Sequence, residues 1–169
     1  MRTKLLFLIA LSTMLFLGCS VDPLDEPNMT TINDNTERSV KPTPISFKSS
    51  GVITVMEDRM CEPYLYLDMN GILVSEAFGK MRVSMTNCTD FRTVHFIKGS
   101  YEDGNGDKMF FYSEVSGYDE NGNWHLYVFD GGTGRYMNLS GKLKVYDHIE
   151  LQNEKEGIFI QHAEGILSF

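Results

Sequence analysis

The chain has little of what usually announces a chemistry. Its 169 residues include three cysteines, one tryptophan and five prolines. The four histidines, His95, His125, His148 and His162, have none of the close spacings that gather metal ligands. Strand or surface histidines are the simpler reading, and no metal or cofactor is expected. Basic residues are scarce, 15 against 23 acidic, for a formal charge of −8. Phosphate backbones need a basic surface, so nucleic acid is excluded as a partner, and attraction to anionic lipid is disfavoured. No Ser-His-Asp or Cys-His order is recognisable. Beyond residue 17, no segment keeps apolar residues at i, i+3, i+4 and i+7 for ten positions, which argues against a helical fold.

What the chain does have begins at its N-terminus. Arg2 and Lys4 precede an apolar run from Leu5 to Leu17, broken only by Ser12 and Thr13. That run is too short to span a bilayer, which takes ~20 residues. Its basic start and short apolar body have the form of a secretory signal peptide. The run ends Leu15-Phe16-Leu17-Gly18-Cys19, which resembles the lipobox of bacterial lipoproteins, with Phe16 where leucine is usual. The resemblance implies cleavage before Cys19 and lipidation of that residue, with two or more acyl chains anchoring the protein stably to a membrane. Losing residues 1–18 removes two bases and no acids, which moves the charge from −8 to −10. Ser20, rather than aspartate, follows the cysteine, and in diderm lipoproteins this implies the outer membrane. Asp22, Asp25 and Glu26 resemble the export signals of surface lipoproteins of Bacteroidota.

Residues 19–44 read as a lipidated cysteine and a flexible tether. From Ser20 to Thr43 there is no aromatic residue and no sustained apolar periodicity, and Pro23, Pro27 and Pro42 interrupt the segment. Such a composition buries too little apolar surface to offset the entropy of ordering. As a flexible coil it spans roughly 25–30 Å.

From Ile45 the texture changes, and residues 45–169 read as one all-β domain. Met81, Val83 and Met85 alternate with Lys80, Arg82, Ser84 and Thr86, the pattern of a half-buried strand. Leu143 and Val145 alternate with Lys142 and Lys144 in the same way. Lys108–Val115 and Trp124–Phe129 are aromatic-rich on both faces, as in well-covered strands. Further candidates are Ile45–Met56, Tyr64–Leu67, Gly71–Phe78, Thr93–Lys98 and Gly157–Phe169. Turn signals stand at Asn70-Gly71, Asp103-Gly104-Asn105-Gly106-Asp107, Asn121-Gly122 and Gly131-Gly132. About eight antiparallel strands in this length make a closed β-barrel, or alternatively a β-sandwich. The barrel comes first because closure removes exposed edges.

Val128-Phe129-Asp130-Gly131-Gly132-Thr133-Gly134-Arg135-Tyr136, followed by Ser140-Gly141, resembles the glycine signature of the allene oxide cyclase and dirigent barrel superfamily. Asn105-Gly106-Asp107-Lys108-Met109, Gly79-Lys80 and Gly165-Ile166 fall at comparable places. The resemblance covers roughly residues 71–168 and implies an eight-stranded antiparallel barrel with a small interior cavity. On physical grounds alone, Gly131, Gly132, Thr133, Gly134 and Arg135 form a turn between strands. No helix follows to hold phosphate, so this is not a nucleotide loop. Asp103–Asp107 lacks the glycine and flanking helices of a calcium loop and reads as a polar hairpin.

Cys61 and Cys88 form either a disulfide, as an export compartment permits, or two separate thiols. His125, His162 and Glu164 are candidates for a polar barrel interior, although the face of the last strand is open. Three function classes follow: a cell-envelope lipoprotein, at the outer membrane or cell surface, whose barrel binds a small apolar ligand or a partner; an isomerase or cyclase resembling allene oxide cyclase; and a structural envelope protein with a solid core. A packed apolar interior favours the last. A cavity with converging His, Glu or Asn favours the first two.

Overall fold

The computed structural model describes residues 41–92 and 94–169. The signal sequence, Cys19 and the tether up to residue 40 lie outside them. Eight strands follow one another around a closed antiparallel barrel: β1 (Pro42–Met56), β2 (Leu65–Ser75), β3 (Gly79–Thr89), β4 (Val94–Glu102), β5 (Lys108–Asp119), β6 (Gly122–Gly132), β7 (Ser140–Leu151) and β8 (Glu156–Ser168). The last strand returns to the first, and Pro42–Thr54 pair with Glu156–Ser168. This is the expected fold class, a barrel and not a sandwich. The first strand begins at Pro42, ahead of Ile45. Pro42 and Pro44 are tolerated because β1 pairs with β2 only from Lys48 onward, so one side of the early strand has no ladder to donate to.

The alternation of the sequence becomes the inside and outside of the barrel. Met81, Val83 and Met85 point inward, as do Leu143 and Val145, and all are buried. Lys48, Arg82, Lys98, Lys142 and Glu164 point outward. Apolar inside and charged outside is the reverse of a transmembrane barrel. The middle of the barrel is filled by Phe47, Tyr101, Phe111, Tyr127 and Phe129, whose rings stack or meet edge-on at 4.6–6.1 Å. One polar bridge crosses it. Ser49 Oγ donates to Gln161 Oε1 at 2.9 Å, and Gln161 Nε2 donates to Tyr127 Oη at 3.0 Å. Burial, with the charge of nearby Asp147, holds the Tyr127 phenol far above its ordinary pKa, so it stays neutral.

Asn70-Gly71 is not a turn. The segments Tyr64–Leu67 and Gly71–Phe78 are one strand, β2, which ends at Ser75. Gly71 faces Gly51 across the β1–β2 ladder, and a Cβ on either would overlap the opposing backbone and the Phe159 ring. Glycine here serves close approach, not reversal. Outside the barrel, Cys61 in the β1–β2 connection is bonded to Cys88 on β3. In the chain-entropy account, closing a loop of 27 residues stabilises the fold by about 3.5 kcal/mol.

The glycine motif seals the end of the barrel at which β1 begins. Thr133 Oγ1 accepts the Lys108 N–H at 2.8 Å, and Thr133 N–H donates to the Lys108 carbonyl at 2.8 Å. Gly134 begins a single 3₁₀ turn (Gly134–Tyr136) with φ +53°, and a Cβ there would strike the Asp107 carboxylate. Arg135 reaches Asp103 Oδ2 at 2.7 Å, while Asp103 Oδ1 accepts the N–H groups of Asn105 and Asp107. The polar hairpin and the glycine turn are therefore one clamp, and Asp103 is committed to it. Burial pushes the Asp103 carboxyl up, but the two N–H donors and the Arg135 guanidinium together outweigh it, and its pKa lies below the ordinary value. A depressed carboxyl contributes stability that is present above the unfolded-state pKa, about 4, and is lost as pH falls through the folded-state value. Arg135→Ala is accordingly expected to lower the urea midpoint clearly at pH 7, with the gap to the unaltered protein narrowing below about pH 4. A gap independent of pH would remove the ion pair from the account.

Candidate functional site

The opposite end of the barrel is not sealed. A cavity of about 570 Å³ opens among the ends of β3 to β7, a size common for ligand sites. Alternation along β3 carries inward from Met81, Val83 and Met85 to Asn87, which is 2% exposed. The same alternation on β7 runs from Leu143 and Val145 to Asp147. On β6 it brings in His125, buried at 3% exposure. A β-bulge on β5 between Ser113 and Val115 changes the parity of that strand, so Ser116 lies opposite His125 and faces the cavity.

His125 Nε2 lies 3.2 Å from Asp147 Oδ1, and both side chains are almost fully buried. A ring nitrogen that close to a carboxylate carries the proton, which leaves Nδ1 as the second functional atom. His125 Nδ1 has no hydrogen-bond partner, and neither has Asn87 Oδ1. Leaving a buried polar atom unpaired costs about 1–3 kcal/mol. Here two such atoms belong to residues lining one cavity. Tyr101 Oη in the packed middle, and Thr86 Oγ1 and Tyr136 Oη, are also buried and unpartnered, but these residues do not line the cavity.

Val94 and Ile149 form apolar walls, and Phe91, Arg92 and Tyr118 stand at the rim. Phe91 has φ +64°, uncommon for a bulky residue, and is about half exposed. Its N–H donates to Thr89 Oγ1 at 2.9 Å, and the Arg92 N–H donates to Asp90 Oδ1 at 2.9 Å. These two side-chain bonds fix the tight turn that presents the ring. A smaller apolar hollow of about 350 Å³, lined by Thr43, Ile45, Ala77, Phe78, Tyr136 and Phe169 among others, marks the sealed end.

Of the residues singled out for a polar interior, only His125 is inside. His162 and Glu164 are on the outer face, exposed, and their expected place in the interior is corrected. The inward set of β8 is Gly157, Phe159, Gln161, Ala163, Gly165 and Leu167, fixed by Phe47 pairing with Ala163. Glu164 and His162 pair outward with Ser46 and Lys48. Gly131, Gly132, Thr133, Gly134 and Arg135 belong to the sealed end, away from the cavity. Asn87, Ser116 and Asp147 escaped sequence reasoning. Extending the alternation of β3 and β7 by one and two residues finds Asn87 and Asp147; Ser116 depends on a bulge that leaves no sequence mark. Among the described residues, no group of three or more His, Cys, Asp or Glu is placed to hold a metal ion.

The chain matches no protein-family model and no curated protein. Its fold is similar to that of a pterocarpan synthase dirigent protein, with a TM-score of 0.53 and 12% sequence identity over 86% of this chain and 98% of that one. At this identity the likeness is one of fold: the chain is a closed eight-stranded barrel of the dirigent type.

Proposed function

We propose that this protein is a cell-envelope lipoprotein whose barrel binds a small organic ligand at its open end. The observation that carries the reading is the pair of buried, unpartnered polar atoms, His125 Nδ1 and Asn87 Oδ1, on residues lining one cavity of about 570 Å³. A solid structural barrel gains nothing from such groups, whereas a binding site gains specificity from them. The polar floor and apolar walls suit an amphipathic molecule.

The anchor reading rests on the sequence at Cys19. The strand β1 begins at the sealed end, so the cavity opens at the end remote from Pro42. The envelope location, outer membrane or cell surface, follows from Ser20 and the acids after it. An isomerase or cyclase remains the second reading, favoured by the His125–Asp147 pair.

Three outcomes are expected. Native mass spectrometry of protein purified from its own host shows a retained small molecule, absent from His125→Ala; a bare mass for the unaltered protein overturns the ligand reading. Asn87→Leu removes an unpaired polar atom and is expected to raise the melting temperature by about 2–6 °C. A lowered value means that Asn87 is satisfied within the fold. Cys19→Ser moves the protein from the membrane to the soluble fraction, and persistence in the membrane ends the anchor.

A further inference from the structure

We infer that the mouth of the barrel is a proton-transfer site, with His125 as the base and an enolisable aryl keto acid as the class of substrate. This rests on the reading of the mouth as a ligand site and adds a reaction to it. The Asp147 carboxylate, 3.2 Å from Nε2, holds a proton on that nitrogen and stabilises the imidazolium when Nδ1 takes another. Asp147 is therefore a positioning residue. Nδ1, buried and without a protein partner, is the atom left to act.

The remaining lining sorts by chemistry. Ser116, across the ladder from His125, and the Asn87 amide are neutral groups suited to a carbonyl oxygen. Stabilising the oxygen as charge develops on it is the larger part of such catalysis. At the rim, the exposed rings of Phe91 and Tyr118 offer faces to an aryl group, and Arg92 offers a guanidinium to a carboxylate. The reaction needs no further reagent. Nδ1 takes a proton from the carbon beside the carbonyl, the C–H pair becomes a C=C bond, and the carbonyl π pair moves to oxygen. The imidazolium then returns the proton to that oxygen, giving the enol; the reverse path regenerates the ketone.

The test is ¹H NMR of phenylpyruvate in D₂O with the purified full-length protein. Loss of the methylene signal reports exchange, and saturation transfer to the phenyl protons reports binding. Exchange is expected at least ~10²-fold above buffer. It should fall to the buffer rate in His125→Gln, and in Asp147→Asn it should fall in kcat with little change in KM. The ¹⁵N shifts of the His125 ring should also leave the Nε2–H pattern in Asp147→Asn, a signature that a merely structural role would not move. Asp147→Asn preserves shape and so keeps the test open if His125→Gln fails to fold. Phenyl saturation without accelerated exchange overturns the proton-transfer proposal and leaves the ligand site standing. Neither signal overturns the substrate class together with the proposal, and the ligand site is then judged by what the host-purified protein retains.

Discussion

The seam between β1 and β8 is the interaction on which the rest of the molecule depends. Thirteen paired positions, from Pro42 opposite Ser168 to Thr54 opposite Glu156, turn a meander of hairpins into a cylinder. Closure removes the two edges that an open sheet would expose. It also fixes parity. Once Phe47 pairs with Ala163, every second residue of both strands faces inward, and a slip of one residue would bring Lys48 or His162 into the core. Placement of His125 inside and His162 outside is a consequence of that registration, carried around the barrel strand by strand.

The two ends of the cylinder are finished differently. At one, Asp103, Thr133 and Arg135 bind the β4–β5 hairpin to the glycine turn, and the aromatic middle packs beneath them. At the other, the β5 bulge spoils the regular alternation, and the lining becomes Asn87, Ser116, His125 and Asp147. The polar bridge Ser49–Gln161–Tyr127 shows what a satisfied polar group looks like in this interior. Against it, the unpaired atoms of Asn87 and His125 carry a cost to stability, as do those of Thr86, Tyr101 and Tyr136, but only Asn87 and His125 line the cavity. Such costs gather where a site is kept ready for something else.

The fold was legible where one physical signal had one meaning. Met81, Val83 and Met85 alternate with polar residues, and that pattern has no reading but a strand. Asn70-Gly71 had two meanings, a reversal or a close approach, and only the partner Gly51 decides between them. The face of β8 was illegible for a different reason: apolar Ile160 and Ile166 are exposed while polar Gln161 is buried, so hydrophobicity points the wrong way. The glycine motif marked a turn but not its purpose, since Asp103 lies far from Arg135 in sequence. The candidate site was half legible, through the alternation that reaches Asn87 and Asp147. Ser116 was not, because a bulge is a property of pairing and not of composition.

Backbone amide exchange resolved by residue tests the closed, one-ended barrel most directly. The account predicts slow exchange along both sides of the seam, 45–54 and 156–166, as slow as in β2 and β3, with faster exchange confined to the bulged segment 113–118 and the loops at the open end. Rapid exchange along 156–166 would mean that β8 is a free edge, and a uniformly protected mouth would mean that both ends are sealed.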